Sequence, residues 1–309
     1  MVLIEGAKLD ALVCPFDKAS LSGVAGELVC SNGHKFPLIG RVPSFLPDAR
    51  DPVRSSFSRE WATFDYEKDR TWGVTAEERR RRFPGQVNLS PEDLAGKLVL
   101  DAGCGNGALS NELTKFGCDV VAADISSSVR AAAIRFAGNE RIQFVEADLM
   151  HPPFRPGTFD VVFSGGVLHH TPDTRHAFEQ LVSTVAPGGT FYVWLYRPVT
   201  GRLLAAKLKV RDVVSRLPAR LRYAVVLILL PQAMLRHYWH VLRGQEQRLA
   251  LRERLVALLV SLTPRYRWVH TPEEVHDWFE ELSFVEITNT DQGTWGFGVA
   301  ARRPAAAKG

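Results

Sequence analysis

The sequence predicts a doubly wound α/β fold, in which a mostly parallel sheet is covered by helices on both faces. Two observations support this. Short apolar runs alternate with segments of helical spacing between residues 97 and 197, and turns rich in glycine or aspartate separate them. Such alternation is typical of βαβ units, whose parallel strands are buried on both faces. We predict strands at residues 97–100, 118–125, 141–145, 158–164 and 189–195.

The first of these strands leads into the most informative turn in the chain. Residues 99–107 read Val-Leu-Asp-Ala-Gly-Cys-Gly-Asn-Gly, with glycines at Gly103, Gly105 and Gly107, and helical spacing follows over 108–116. Backbone without side chains lets a nucleotide-type ligand approach closely. Asp101 helps to identify that ligand. Its carboxylate would repel a pyrophosphate at the helix start, whereas it would attract the ammonium and sulfonium groups of S-adenosylmethionine.

The glycine triplet alone does not separate these two ligands. Gly103-x-Gly105-x-x-Ala108 also satisfies the loose dinucleotide fingerprint, with Asp124 at about the expected distance of ~20 residues. The following strands favour the methyl donor. Asp124 ends the second strand and can accept bonds from both ribose hydroxyls, and Asp148 follows the third strand and can accept a bond from the adenine amine. Acids at the carboxyl ends of successive parallel strands line the ligand crevice of an open sheet.

These motifs resemble the class I S-adenosylmethionine-dependent methyltransferases. The resemblance covers about residues 97–197 and is carried by residues 101–107, Asp124, 147–149, 159–160, 166–173 and 186–189. It implies that Asp101 and the three glycines hold the methionine part. It also implies that Asp124 holds the ribose and Asp148 the adenine, and that the neighbouring Ile125 and Leu149 also contact the cofactor. The family sheet has seven strands, and residues 284–290 and 295–302 would supply the last two, one of them antiparallel.

The resemblance implies transfer of a methyl group by in-line displacement, with S-adenosyl-L-methionine as cofactor. We expect a small-molecule acceptor such as a secondary metabolite, a sugar or a lipid-linked intermediate. One alternative is a methyltransferase acting on rRNA or tRNA bases. Another, of a different class, is a non-catalytic protein that binds S-adenosylmethionine and serves as an interaction module, because the fold alone does not fix the function.

His169 and His170 follow the fourth strand, beside the expected position of the sulfonium. A histidine, with a reference pKa of ~6.5, can remove the acceptor's proton near neutral pH. We favour His170 slightly, because adjacent side chains point in different directions. The alternative is a purely structural pair at the helix start that Thr171, Pro172 and Asp173 predict. The tetrapeptide Asn/Asp-Pro-Pro-Tyr/Phe, which marks methylation of exocyclic amines on adenine or cytosine, does not follow this strand.

The amino-terminal segment, residues 1–50, resembles the small zinc ribbon that precedes some methyltransferases, including enzymes acting on ribosomal RNA guanine. The ligands in that comparison would be Cys14, Asp17, Cys30 and His34. Aspartate stands where a cysteine is usual, and an oxygen ligand weakens a purely structural zinc site. Two interpretations stay open. Either the ribbon holds one structural zinc ion, or it keeps its fold by apolar packing and binds no metal.

Residues 51–96 link the ribbon to the core and are rich in aromatic and charged residues. Thr75 and Glu78 form a capping box before a short helix predicted over 76–83. In related enzymes this segment folds over the methyl donor. The residues predicted to form such a lid and contact the cofactor are Tyr66 and Trp72.

Residues 198–270 form a basic helical insertion. Residues 198–268 contain 14 Lys and Arg against 3 Asp and Glu, whereas the whole chain has a net charge of +4. Three roles compete: a cap over the acceptor site, peripheral contact with a membrane or lipid carrier through a basic amphipathic helix, and pairing of subunits or binding of RNA. An aromatic-interleaved basic stripe is missing, so nucleic acid is the less favoured partner. The oligomeric state stays unassigned.

Residues 271–309 return to the family pattern, with Thr271 capping a helix that begins at Pro272. The four cysteines are too scattered for a disulfide framework, and the first residues lack a basic region followed by a long apolar one. We therefore expect a cytoplasmic protein.

Overall fold

The computed structural model describes residues 7–24, 26–46, 54, 57, 58, 61, 74–198, 202–244, 251–262, 264–293 and 295–306. The chain divides into two compact units. The first comprises Met1–Ala49, Arg80–Pro198 and Tyr266–Gly309, and the second comprises Arg50–Arg79 and Val199–Arg265. The lid residues predicted from the sequence, Tyr66 and Trp72, lie outside the described residues, so their role stays a prediction.

The first unit begins with a small ribbon. After helix α1 (Ala7–Asp10), strands β1 (Leu21–Val24), β2 (Glu27–Cys30), β3 (Lys35–Ile39) and β4 (Val42–Pro43) pair in sequence order, all antiparallel. The ribbon packs against the rest of the unit through buried aromatic residues, and the rings of Phe36 and Phe45 lie 4.8 Å apart. Leu12 forms an antiparallel bridge with Phe154, and Ser44 forms a parallel bridge with Glu146 of the larger sheet. The ribbon is therefore attached to the larger sheet by backbone bonds as well as by packing.

The first unit is built on a seven-stranded sheet. Its strands are β5 (Leu98–Ala102), β6 (Asp119–Asp124), β7 (Ile142–Glu146), β8 (Phe159–Gly165), β9 (Val185–Tyr196), β10 (Val285–Gln292) and β11 (Gly296–Arg302). Their spatial order is β10-β11-β9-β8-β5-β6-β7. The strands from β5 to β9 run parallel, and β11 is antiparallel to both β9 and β10. The predicted doubly wound sheet, with one antiparallel strand in its closing pair, is confirmed.

Helices cover both faces of this sheet. They are α2 (Ala76–Val87), α3 (Ala108–Leu113), α4 (Ser128–Arg135), α5 (Thr174–Thr184) and, after the insertion, α9 (Pro272–Glu281). Alternation along each strand divides the core in two. Val99 of β5 packs with Phe83 of α2 on one face, whereas Leu100 packs with Phe178 of α5 on the other. Because both faces are covered, the strands read as continuous apolar runs.

Two helices differ from the sequence prediction. The helix predicted over 76–83 continues through Pro84 to Val87. Phe83 and Val87 are both fully buried, and their burial outweighs the hydrogen bond that proline cannot donate. The helix predicted over 108–116 is α-helical only to Leu113, and a 3₁₀ turn, Thr114–Phe116, completes it before Gly117, whose φ is 82°. The capping box of Thr75 and Glu78 is confirmed by reciprocal bonds of 2.7 and 3.1 Å.

The second unit contains three helices from the insertion: α6 (Arg202–Arg216), α7 (Ala219–Leu242) and α8 (Leu251–Leu262). A small apolar core joins them, formed by Val214, Val226, Leu259 and Leu262. The predicted helical character of the insertion is confirmed, whereas its role as a cap stays a prediction.

Candidate active site

The sheet places the predicted ligand crevice at its topological switch point. The chain runs from β5 outward through β6 and β7, and then returns to the opposite side of β5 with β8. Open sheets bind ligands at such a point, beyond the carboxyl ends of the strands. Asp101 is the second-to-last residue of β5, and Asp124 is the last residue of β6. Asp148 lies two residues after the end of β7. The structure therefore brings the three predicted carboxylates to adjacent strand ends.

The glycine turn between β5 and α3 has the backbone that only glycine adopts readily. Gly103, Gly105 and Gly107 have φ values of 92°, 57° and 70°. A Cβ atom at Gly103 would lie 2.2 Å from Val167 Cγ2, and one at Gly107 would lie 2.5 Å from Phe144 Cε1. Both close contact and left-handed backbone exclude a larger residue at these positions. Packing of Val167 and Phe144 against the turn thus requires glycine at these two positions, where the turn has backbone without side chains.

Asp124 anchors this turn. Its two carboxylate oxygens accept hydrogen bonds from the backbone N–H groups of Gly105 and Ser126, each at 2.8 Å. Ser128 Oγ donates to the carbonyl of Gly105 at 2.7 Å. Burial raises the pKa of Asp124 above its usual value, and the hydrogen bonds oppose that shift. The ribose-binding role predicted for Asp124 is thereby joined by a structural one, because the same carboxylate fixes the glycine turn.

Asp101 and Asp148 are also oriented by hydrogen bonds. Ser110 Oγ, on the first turn of α3, donates to Asp101 Oδ2 at 2.6 Å, and Asp101 is buried. Asp148 is half-buried, and its Oδ1 accepts from the N–H of Met150 at 2.9 Å. Burial, followed by the negative charges of Asp124 and Asp101, raises the pKa of Cys104 well above its usual value. The same field favours a cationic ligand at this turn.

Ile125 directly follows β6, and Leu149 lies three residues after the end of β7. Their contacts with the cofactor stay predictions. Leu149 is buried and belongs to the core cluster of the first unit. Ser110, Ser126 and Ser128 were not identified from the sequence. A run of three serines after an acid-ended strand, at 126–128, is a sequence signal for hydrogen bonding to nearby backbone.

The two histidines lie on a 3₁₀ turn, Leu168–His170, that follows β8. Both are buried, and His169 is fully so, with no hydrogen-bond partner for either ring nitrogen among the described residues. Its ring centroid lies 4.3 Å from that of His170 and 4.1 Å from that of Tyr196. Burial lowers the pKa of His169 well below its usual value, and the nearby His170, Arg267 and His270 lower it further. His169 is therefore neutral at physiological pH.

The geometry of His170 differs from that of its neighbour. His170 Nδ1 lies 2.8 Å from the carbonyl oxygen of Tyr266. A carbonyl oxygen can only accept, so Nδ1 carries the proton and Nε2 is the basic nitrogen. In this tautomer Nε2 is the nitrogen that could take up a proton. Of the two predicted catalytic residues, His170 thus has the arrangement that fits proton removal, and both assignments stay predictions.

The segment after the insertion closes one side of this turn. The N–H of Trp268 donates to the carbonyl of His169 at 2.9 Å, and the N–H of His270 donates to the carbonyl of Tyr196 at 2.8 Å. The Arg267 guanidinium lies 4.2 Å from the centroid of the Tyr196 ring. The carboxyl end of β9 thereby adds Tyr196 to the histidine turn. An aromatic residue at the end of the fifth predicted strand was the signal that could have identified it.

The ribbon brings the four predicted metal ligands together. One ligand atom from each of Cys14, Asp17, Cys30 and His34 lies within 4.8 Å of all the others. His34 Nδ1 is 3.5 Å from Cys14 Sγ, 3.3 Å from Cys30 Sγ and 3.2 Å from Asp17 Oδ2. Cys30 Sγ is 3.7 Å from Asp17 Oδ2. The cluster lies at one end of the ribbon, where its two turns meet.

Comparison with known proteins identifies the central part of the chain. A family model described as a methyltransferase domain matches residues 100–193. An uncharacterized methyltransferase of Mycobacterium tuberculosis (strain ATCC 25618 / H37Rv) is 43% identical over 101 residues, which are 32% of this chain and 51% of that protein. The demethylmenaquinone methyltransferase of Clavibacter sepedonicus is 29% identical over 156 residues, which are 50% of this chain and 59% of that protein. The chain thus spans about half the length of the curated relatives that it matches.

Among solved structures, the magnesium protoporphyrin IX methyltransferase from Synechocystis PCC 6803, with bound S-adenosylhomocysteine, is similar with a TM-score of 0.48 and 18% identity. The match covers 81% of this chain and 98% of that chain. The family match contains the glycine turn, Asp124, Asp148 and the histidine turn. Residues 100–193 therefore match a methyltransferase domain.

Proposed function

We propose that this protein binds S-adenosylmethionine at the switch point of its sheet and transfers the methyl group to a small-molecule acceptor. One observation carries the proposal. Asp101, Asp124 and Asp148 lie at the carboxyl ends of three adjacent parallel strands, and the N–H of Gly105, in the glycine turn after the first strand, donates to Asp124. This arrangement offers an anion to the methionine end, hydrogen-bond acceptors to the ribose and adenine, and open backbone between them.

S-adenosylmethionine supplies a methyl group on a sulfonium, which departs as a neutral thioether. In the transfer, the carbon–sulfur bond breaks with its electron pair on sulfur, and the acceptor atom forms the new bond to the methyl carbon. The protein's task is to align acceptor and donor and to take up the acceptor's proton. We assign the proton uptake to His170, through Nε2. Tyr196, whose ring packs against that of the fully buried His169, would supply an aromatic surface beside it.

Two features support a small acceptor. The half-buried ring of Tyr196 suits contact with a planar or apolar compound, and the relatives include an enzyme named for demethylmenaquinone. The chain also lacks the tetrapeptide that marks methylation of exocyclic base amines. Methylation of an RNA base stays the alternative, since the insertion is strongly basic. A non-catalytic protein that only binds the donor is the second alternative.

The test uses the full chain in two assays. Titration calorimetry measures the Kd for S-adenosylhomocysteine, and a donor with a labelled methyl group is incubated with a metabolite extract and, separately, with total RNA. We expect donor binding and label in a small product. His170→Ala should keep the affinity and lose at least 100-fold in turnover, whereas His151→Ala, which changes an exposed histidine of the first unit, should change neither.

Three results would contradict the proposal. Donor binding without S-adenosylhomocysteine production from any acceptor pool would indicate a non-catalytic binding protein. Label in RNA alone would replace the acceptor class. Full turnover in both His169→Ala and His170→Ala would show that the base lies elsewhere or that none is needed.

We also propose that the ribbon holds one structural zinc ion through Cys14, Asp17, Cys30 and His34. Zinc–sulfur bonds of about 2.3 Å and zinc–nitrogen or zinc–oxygen bonds of about 2.0–2.1 Å put tetrahedral ligand atoms roughly 3.3–3.8 Å apart. Four of the ligand–ligand distances in the ribbon are 3.2–3.7 Å. Cys14 and Cys30 are buried, which protects a zinc–thiolate centre from solvent.

Metal analysis tests the zinc proposal without reference to activity. Protein purified from zinc-supplemented cells should contain about one zinc per chain by plasma mass spectrometry. Cys30→Ser should lower the zinc content several-fold and reduce the melting temperature. Cys118→Ser, a buried cysteine outside the ribbon, is the matched control and should keep the zinc. Metal-free wild-type protein would leave the ribbon as a fold held by apolar packing alone.

A further inference from the structure

Helix α7 of the second unit carries an apolar stripe that faces outward. The large side chains along this stripe are Leu221, Ile228, Leu235, Trp239 and Leu242, and their exposed fractions are 53, 75, 74, 49 and 85%. Residues seven apart lie on the same face of an α-helix, as do residues three or four apart. The five positions therefore form one continuous face, which we call the α7 stripe.

The opposite face of α7 already has its packing partners. Val226 and His237 are fully buried, and Val226 joins Val214, Leu259 and Leu262 in the apolar core of the second unit. The helix is therefore held in its unit without any contribution from the α7 stripe. Exposed contiguous apolar surface of this kind is uncommon on monomeric proteins and marks an interaction surface.

Positive charge surrounds the stripe. Arg220, Arg236 and Arg243 are exposed on α7, and the guanidinium of Arg243 lies 3.4 Å from the centroid of the Trp239 ring. Residues 198–268 as a whole carry 14 Lys and Arg against 3 Asp and Glu. A partner that matches this surface must be apolar where it meets the stripe and anionic at its border. A membrane containing anionic lipids has both properties.

The helix also has the length and composition of a membrane span over Arg220–Leu242, and only 11% of an 18-residue window within it is buried in the protein. Two features oppose spanning. The segment between Arg222 and Arg236 has 13 residues, or about 20 Å of helix, whereas the hydrocarbon core is about 30 Å thick. In addition, one face of α7 packs on α8. A helix with one protein-bound face and one exposed apolar face is suited to the plane of the interface.

We infer that α7 docks this protein on an anionic membrane surface, with the α7 stripe buried in the headgroup region and Arg220, Arg236 and Arg243 against the lipid phosphates. Trp239 would lie at the level preferred by amphipathic aromatic rings. The inference goes beyond the proposed methyl transfer and does not depend on it. Donor binding in the first unit and lipid binding in the second can each fail separately.

The experiment is co-sedimentation of the full chain with vesicles. Vesicles of phosphatidylcholine and phosphatidylglycerol in equal amounts are compared with vesicles of phosphatidylcholine alone, each at 50 and 500 mM KCl. We expect binding to the anionic vesicles at low salt, at least tenfold weaker binding at high salt, and at least tenfold weaker binding to the neutral vesicles.

Matched variants locate the contact. Ile228→Asp should weaken binding to the anionic vesicles at least tenfold. Ile134→Asp changes an equally exposed isoleucine, 80% exposed on α4 of the first unit, and should bind like the wild type. Circular dichroism and the Kd for S-adenosylhomocysteine check that both variants are folded.

Four outcomes would overturn the inference: no sedimentation of the wild type with either vesicle, equal binding to both vesicles, unchanged binding of Ile228→Asp, or a dimer that only Ile228→Asp dissociates. The last would assign the α7 stripe to a second copy of the chain. Retention on total RNA in place of vesicles, at the same protein concentration and 50 mM KCl, would likewise reject a lipid surface.

Discussion

Replacing Asp124 by asparagine tests the central electrostatic claim about the donor site. The carboxylate accepts two backbone N–H groups, from Gly105 and Ser126, at 2.8 Å each. Asparagine keeps one oxygen that can accept a hydrogen bond. Its NH₂ group would face the other backbone N–H, and because both groups are donors, one of the two hydrogen bonds is lost. Hydrogen bonds to a charged group contribute about 1.5–3 kcal/mol. The buried carboxylate also carries a desolvation cost that asparagine lacks, so we expect a loss of about 1–2 kcal/mol in unfolding free energy.

Donor affinity should fall further than stability, because the substitution acts on it twice. The glycine turn loses its anchor, and the ribose hydroxyls lose a charged acceptor. A combined loss of about 2–3 kcal/mol corresponds to a roughly 30- to 150-fold higher Kd for S-adenosylhomocysteine. Titration calorimetry measures this Kd at a temperature where urea titration shows the variant to be folded.

The matched control is Asp119→Asn, at the other end of the same strand. Asp119 is 42% exposed, and its nearest cations, Arg141 and Lys8, lie at 3.7 and 3.9 Å. Surface pairs of this kind contribute about 0–1 kcal/mol, so donor affinity should stay unchanged. A folded Asp124→Asn variant whose Kd lies within threefold of the wild type would refute the assignment of Asp124 to the donor site.

Three further substitutions probe neighbouring parts of the same unit. Gly103→Ala should lower the unfolding free energy by about 2 kcal/mol or more, because it introduces left-handed backbone strain and a steric clash. Gly138→Ala, where the added Cβ meets no atom, should not lower it. Urea titration measures both variants. Ser110→Ala removes the hydrogen bond to Asp101 and should weaken S-adenosylhomocysteine binding about tenfold by calorimetry, and an unchanged Kd would contradict this role. The folded state keeps His169 neutral, whereas in the unfolded chain this histidine takes up a proton below pH ~6.5. The unfolding free energy should therefore be about 1.4 kcal/mol lower at pH 5.5 than at pH 8 because of this residue. Unfolding curves of His169→Gln should not show this loss.

The sheet could be predicted from the sequence because its signals are local. Each parallel strand is an apolar run with a clear end, and the structure moves most predicted strand ends by one or two residues. The largest difference is β9, which begins at Val185, although Pro187 and Gly188 predict a turn there. Val185 pairs with Phe159 before a register irregularity, so tertiary pairing extends the strand across its turn residues.

The residues proposed to bind the donor could also be predicted from local signals, since Asp101, Gly103 and Gly107 belong to one strand, turn and helix. The acceptor side depends on contacts between residues far apart in the chain. His170 is hydrogen-bonded to the carbonyl of Tyr266, which lies 96 residues further along the chain. The contact between Tyr196 and Arg267 likewise joins residues far apart in the sequence. No local spacing encodes these contacts.

The ribbon is a structural part of the first unit, because Glu146 links it to the seven-stranded sheet. This fully buried carboxylate accepts Ser44 Oγ from the ribbon at 2.7 Å and Arg130 Nη2 from α4 at 2.6 Å. Removing one partner of a buried charge leaves it uncompensated at a cost of several kcal/mol. The next residue along the chain, Ala147, donates its N–H to the carbonyl of Asp124 at 3.0 Å. Ribbon, sheet edge and candidate donor crevice thus share one connected set of hydrogen bonds, so a change that loosens the ribbon also reaches the strand end proposed to hold the donor.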